Sequence, residues 1–169
     1  MDTQRLRSDS HWLAWAAGII DGEGTVLLAK NKANKTWTLR VVVGNTDPRM
    51  IAALHDLFGG GVSFTAARKG NWRPVWRWYV YHKKAEACLE RVLPWLRVKR
   101  DQAELGLQAR RLVRPRRGRR GNFRDPGVEA RTLDIAAQMR DLRTKSFDTY
   151  AQNVPAADDQ GRLDLGHVV

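Results

Sequence analysis

The sequence predicts an α+β domain, an antiparallel sheet with helices packed on one face, and three observations carry that prediction. Apolar residues alternate between helical and strand spacing in the order helix, hairpin, helix, hairpin, helix, helix. Each strand pair is joined too tightly for the crossover that a parallel sheet needs. In the clearest strand, Thr36 to Val43, Trp37, Leu39, Val41 and Val43 share one face, while Thr36, Thr38, Arg40 and Val42 share the other. One apolar face asks for helices on that side only.

Taken in order, residues 1–10 read as a frayed leader, with Ser10 as N-cap of a helix that carries Trp12 to Gly24. Residues 25–32 read as a strand, Asn31–Lys35 as a polar turn, and the alternating strand follows. Its partner cannot be split by hydrophobicity, because Leu27, Ala29 and Asn31 compete evenly with Val26, Leu28 and Lys30. Asp47-Pro48 starts a helix as cap and first residue, and the stripe Met50, Ile51, Leu54, Leu57, Phe58 ends at Gly59-Gly60-Gly61. A second hairpin is expected from Val62 to Tyr81, turning near Lys69-Gly70-Asn71. Helices are then expected over roughly Lys83–Leu93, stopped by Pro94, and from Lys99 to about Leu112. Residues 110–124 hold eight arginines with Pro115, Gly118 and Gly121 as punctuation, and read as a basic arm. Asp125-Pro126 restarts a helix with Val128, Ile135, Met139 and Leu142 along it. Beyond Tyr150 a polar, disordered tail is expected, so the single domain spans 1–150.

Composition narrows the partners. With 169 residues, 43% of them hydrophobic, and seven tryptophans, the chain suits one globular domain. Lys and Arg outnumber Asp and Glu by 30 to 18, for a net charge of +12. That imbalance, with a pI near 10.7, points to a polyanionic partner, nucleic acid first. No apolar run reaches membrane-spanning length. Cys88 is the single cysteine and the four histidines are scattered, which speaks against disulfides and against a Cys- or His-based zinc site. The polar start suggests an intracellular protein of cytoplasm, nucleoid or organelle.

The stretch Trp12–Gly24 stands apart. Ala14, Ala17, Gly18 and Asp21 recur at spacings of three and four, a bare face that lets another backbone come close. The stretch ends on an acid, Glu23, between Gly22 and Gly24. Residues Ala17-Gly18-Ile19-Ile20-Asp21-Gly22-Glu23-Gly24 resemble the motif of the LAGLIDADG homing endonucleases, with Glu in place of the usual final Asp. The segment Pro94-Trp95-Leu96-Arg97-Val98-Lys99-Arg100-Asp101-Gln102 resembles the P-x-L-x-x-K-x-x-Q segment of single-motif members. The resemblance runs from about Ser10 to Gln108.

The resemblance implies a sheet saddle in αββαββα order plus C-terminal helices, and a site-specific nuclease that cuts both strands of a long pseudo-palindromic duplex to leave short 3′ overhangs. One motif per chain implies a homodimer joined through Ala14, Ala17, Gly18 and Asp21. Two Glu23 carboxylates brought together would repel without a cation between them, so Gly22 and Glu23 of each copy are expected to hold Mg²⁺, with Mn²⁺ or Ca²⁺ substituting for binding. By resemblance Lys99 reaches the active site, where it positions solvent and balances phosphate charge, and Asn45 (in place of the usual Gln) and Arg49 lie around the water network, although Asn45 equally suits a turn. Duplex DNA is expected along Asn31, Lys32, Lys35, Thr36, Thr38, Arg40, Arg68, Lys69, Asn71, Arg73 and Arg77, with Arg116, Arg117 and Lys145 from the C-terminal third. The alternatives are an RNA maturase, which would bring in RNA as partner, and a DNA-binding regulator that does not cut.

Overall fold

The computed structural model describes residues 3–31, 36–67, 73–113 and 125–153, and the side chains among them within the span 9–143. Four strands, β1 (Gly24–Lys30), β2 (Trp37–Asn45), β3 (Gly61–Thr65) and β4 (Val75–Tyr81), form one antiparallel sheet in the order β1-β2-β4-β3. Five helices accompany it: α1 (Thr3–Glu23), α2 (Pro48–Phe58), α3 (His82–Val92), α4 (Arg100–Leu112) and α5 (Pro126–Asn153). A short 3-10 turn, Leu93–Trp95, links α3 to α4. The α+β class and the element order agree with the expectation from sequence.

Side-chain alternation puts the core on one face of the sheet. Val26, Leu39, Val41, Val43, Trp78 and Val80 are buried against Ala16, Ala17, Ile20, Ile51, Leu54, Leu89 and Ala103 of the helices. Arg40, Val42, Tyr79 and Tyr81 turn the other way and keep solvent access. Register resolves the ambiguity in β1: Val26 points to the core, so Leu27, opposite Arg40, and Ala29, opposite Thr38, lie on the open face. Cys88 is buried among the α3 core residues, and burial pushes its thiol to about 12, so it packs as a small apolar group.

The caps work as the sequence suggests. Asp47 accepts the Arg49 N–H at 2.9 Å, and Asp125 accepts Gly127 N–H at 2.8 Å, each just before the proline that opens its helix. At the end of α2 the chain reverses through Gly59 and Gly60, both with positive φ; a Cβ on Gly60 would stand 2.5 Å from the Tyr79 carbonyl oxygen. At the far end of the first hairpin, Glu129 of α5 accepts the Trp37 indole N–H at 3.0 Å and pairs with Lys30.

Four expectations need correction. Helix α1 begins at Thr3, so residues 3–10 are not a frayed leader and Ser10 lies inside the helix; no Gly or Pro interrupts the run before Gly18. The basic arm does not begin at Arg110, because α4 continues through Leu112. Arg110 is 7% exposed and stands 3.4 Å from the buried Glu86, an acid partner that gives its charge a place inside the fold. Helix α5 runs past Tyr150 to Asn153, where the polar tail was expected to begin.

Candidate active site

Helix α1 passes into β1 without an intervening loop, and the junction holds Glu23. Glu23 is the last helical residue, exposed, and Gly24 the first residue of the strand. Only glycine fits there: a Cβ on Gly24 would come within 2.6 Å of the Ile20 carbonyl oxygen. The helix end therefore aims an acid outward where free carbonyl groups already concentrate negative charge, an arrangement that attracts cations.

The second charged group arrives from 76 positions further along the chain. Lys99 precedes α4, and its ammonium donates to the Asp21 carbonyl oxygen at the end of α1. Its backbone N–H donates to Asp21 Oδ1 at 2.8 Å, and the Arg97 N–H donates to Asp21 Oδ2 at 2.7 Å. Burial lowers the Lys99 pKa from its ordinary value, while the charges of Asp21 and Glu23 oppose that shift. Lys99 thus stands within electrostatic reach of Glu23.

Asn45 and Arg49 stand at the same end of the sheet, since Gly24 pairs with Val43, two residues before Asn45. Their contacts stay local. The Asn45 side-chain oxygen accepts the Asp47 N–H at 2.8 Å, which is the turn role weighed against a catalytic one. The Arg49 side chain is 89% exposed and binds Asp47 with a closest approach of 2.6 Å. Arg49 holds the Asp47 carboxyl down at about 2.

The bare face of α1 is divided. Ala14 is half-buried and Gly18 exposed, and a Cβ on Gly18 or Gly22 would meet no described atom within 4 Å. Ala17 is fully buried in the chain's own core, and the Asp21 carboxylate is engaged by the segment before α4. Ala17 therefore offers no surface to a second copy, while Asp21 keeps part of its own; the open stripe of the helix runs through His11, Ala14, Gly18 and Gly22. The reason is angular: Ala14 and Ala17 lie about 60° apart around the helix, enough to turn one of them inward.

On the open sheet face, Arg40 and Arg77 survive as candidate contacts; Arg77 donates to the Thr65 hydroxyl at 2.8 Å. Arg73 is exposed just before β4, Asn31 is exposed and Thr36 half-buried at the hairpin end. Thr38 shares the open face, opposite Ala29, and is 7% exposed. Lys32, Lys35, Arg68, Lys69, Asn71, Arg116 and Arg117 lie outside the described residues, as does the side chain of Lys145. Sequence reasoning missed Tyr79 and Tyr81, which stack at 5.1 Å on the open face; their parity relative to Trp78 and Val80 was the available signal.

No family model matches the chain, and no curated protein matches it. Among solved structures it is similar to the homing endonuclease I-CvuI in complex with its target, with 24% identity, a TM-score of 0.64, and coverage of 80% of this chain and 83% of that one. The DNA complex of the archaeal intron-encoded homing endonuclease I-Vdi141I matches at 11% identity and TM-score 0.60, over 79% and 85% of the two chains. The LAGLIDADG meganuclease I-AabMI, bound to uncleaved DNA, matches at 14% and 0.55 over 74% of this chain but 43% of its own. The fold is that of the LAGLIDADG homing endonucleases. Within this fold Glu23 is the last residue of α1, and the Lys99 ammonium bonds the Asp21 carbonyl oxygen in the same turn. Among the described residues no group of three or more His, Cys, Asp or Glu side chains stands ready for a metal. No helix among the described residues is long and apolar enough to cross a membrane.

Proposed function

We propose that the protein is a site-specific DNA endonuclease that works as a homodimer and cuts both strands of a long pseudo-palindromic duplex, leaving short 3′ overhangs. The observation that carries this reading is the bond that brings the Lys99 ammonium to the Asp21 carbonyl oxygen, in the same last turn of α1 as Glu23, beside a sheet whose open face carries Arg40, Arg77, Tyr79 and Tyr81. A major groove admits an antiparallel ribbon, and arginine is well matched to guanine edges and phosphates. The likeness to I-CvuI and I-Vdi141I, both solved with DNA, supports the same partner here.

The donor set fits a hard divalent cation: an exposed carboxylate and a carbonyl oxygen at the negative end of a helix. Mg²⁺ bound there would stabilise the attacking and leaving oxygens of a phosphodiester. Glu23 and the Gly22 carbonyl of each copy would hold it. Lys99 contributes a fixed positive charge for a phosphate oxygen, and its partial burial strengthens that charge's field at the site. Arg49, almost wholly exposed and tethered to Asp47, is free to turn toward backbone phosphate. The open stripe of α1 lets two copies approach about a two-fold axis, which brings two Glu23 side chains together.

The test begins with duplexes selected from a randomised library by the native protein. Native protein is expected to cut the selected duplex on both strands in Mg²⁺, and Glu23→Gln to bind it equally well without cutting. Tight, specific binding by native protein with no nicking in Mg²⁺ or Mn²⁺ would sink the nuclease reading.

A further inference from the structure

Asp21 occupies an unfavourable place for an acid. It lies in the last turn of α1, where the helix dipole opposes negative charge. Two short charge-assisted hydrogen bonds offset that opposition, and both go to backbone donors of one distant segment, Arg97 N–H at 2.7 Å and Lys99 N–H at 2.8 Å. That segment has few anchors of its own. Leu96 is buried, but Arg97 and Val98 are exposed, and Lys99 opens α4 without a side-chain cap of the usual kind. The carboxylate of α1 takes the place of the missing local cap. The return contact completes the arrangement, because the Lys99 ammonium bonds the Asp21 carbonyl, one of the carbonyls that a helix end leaves without an intrahelical partner.

We infer that Asp21 is a positioning residue: its carboxylate clamps the Arg97–Lys99 backbone so that the Lys99 ammonium stands fixed at the α1 end beside Glu23 before any substrate arrives. This rests on the nuclease reading for what Lys99 does, and on the hydrogen bonds alone for how Lys99 is held. It gives the first acid of the Asp21-Gly22-Glu23 run a task different from the second. Glu23 faces outward toward a ligand, whereas Asp21 faces inward toward the chain. Removing the carboxylate would free the segment to sample other conformations, and misplacement of a catalytic group by about 1 Å costs on the order of a hundredfold in rate.

Two variants of the full chain test the inference, Asp21→Ala and Asp21→Asn. Amide hydrogen exchange is read first, without metal or DNA. Loss of a charge-assisted bond is expected to speed exchange at Arg97 and Lys99 by about tenfold to a hundredfold in Asp21→Ala, with Ala103 and Leu107 in α4 unchanged. Cutting of the selected duplex is then followed at single turnover. The rate constant is expected to fall about tenfold or more in Asp21→Ala, with duplex affinity within about threefold and the fraction cut preserved. Asp21→Asn keeps one acceptor oxygen, so it should recover part of the rate, and it covers the case in which the alanine variant does not fold. A merely structural residue would lower the fraction cut and leave the rate constant alone; that result overturns the inference, as does unchanged exchange at both amides. If native protein fails to cut, the nuclease reading falls, and the exchange data still decide whether Asp21 holds the segment.

Discussion

The Arg40 guanidinium lies 5.1 Å over the ring of Tyr81, its direct partner across β2 and β4. Arg40 Nε is buried and has no hydrogen-bond partner among the described residues. A stacked arginine on an open sheet face is already in the posture that reads a guanine or grips a phosphate. Arg40→Ala is expected to weaken binding of the selected duplex by about 1–3 kcal/mol, and Arg40→Lys should not restore it, because lysine lacks the planar fork. Titration across salt separates the two targets. A uniform loss with a salt slope shallower by about 1 indicates a phosphate, and relaxed sequence preference indicates a base. Unchanged affinity in Arg40→Ala would count against the open face as the binding surface.

Gly18 separates fold from assembly. A Cβ there would meet no described atom within 4 Å, so the chain itself leaves room for a side chain to start outward. Replacing a mid-helix glycine by leucine should raise the stability of the monomer by about 0.5–1 kcal/mol. The same leucine would keep two copies of α1 apart. Sedimentation should therefore show Gly18→Leu as a more heat-resistant monomer with weakened cleavage. A dimer that cuts normally would remove α1 from the interface.

At Gly24 the expected outcome is the reverse. Its Cβ would clash with backbone at 2.6 Å, which no side-chain adjustment relieves. Gly24→Ala should cost roughly 1–3 kcal/mol in chemical denaturation. Because Glu23 is its immediate neighbour, cutting by the folded fraction should fall as well. Wild-type stability in this variant would show that the α1–β1 junction is looser than its geometry implies.

The Asp47–Arg49 pair gives the fold an acid-sensitive component. Hydrogen bonds from the Arg49 side chain and then its backbone N–H hold the Asp47 carboxyl at about 2, below its ordinary 3.8. A depressed carboxylate stabilises the fold fully above its unfolded-state value and loses that contribution as pH falls through its folded one. Wild type should therefore melt above Asp47→Asn at pH 7, with the gap narrowing below about pH 4 and closing near pH 2. The pair is solvent-exposed, so the gap should be small and should shrink in salt. A gap that widens on acidification would refute the assignment.

How much of this was legible beforehand varies by residue. The parity of β2 named Leu39, Val41 and Val43 as core because period two needs no distant knowledge, and Asp47-Pro48 and Asp125-Pro126 declared their helix starts locally. Thr38 lies on the open face that its parity named, opposite Ala29, but alternation does not give exposure, and only 7% of it is accessible. Ala14 and Ala17 are chemically identical, so only the helix's orientation on the sheet decides which is buried. Arg110 counted as one more surface cation until Glu86 appeared beside it in the fold. Asp21 was the hardest: its partners are 76 and 78 positions away and are backbone amides, which carry no side-chain signature in a sequence.

The missing loop between α1 and β1 has a mechanical consequence. The acid at the helix end and the strand on the open face are consecutive residues of one stiff rod, with Gly24 as its only joint. A shift that re-aims Leu27 or Ala29 across the groove must also swing Glu23, and a shift of Glu23 drags the strand. Efforts to retarget such a protein should therefore change side chains on β1 and β2 while leaving strand register and junction length untouched. A register slip in β1 would carry Glu23 out of line with it.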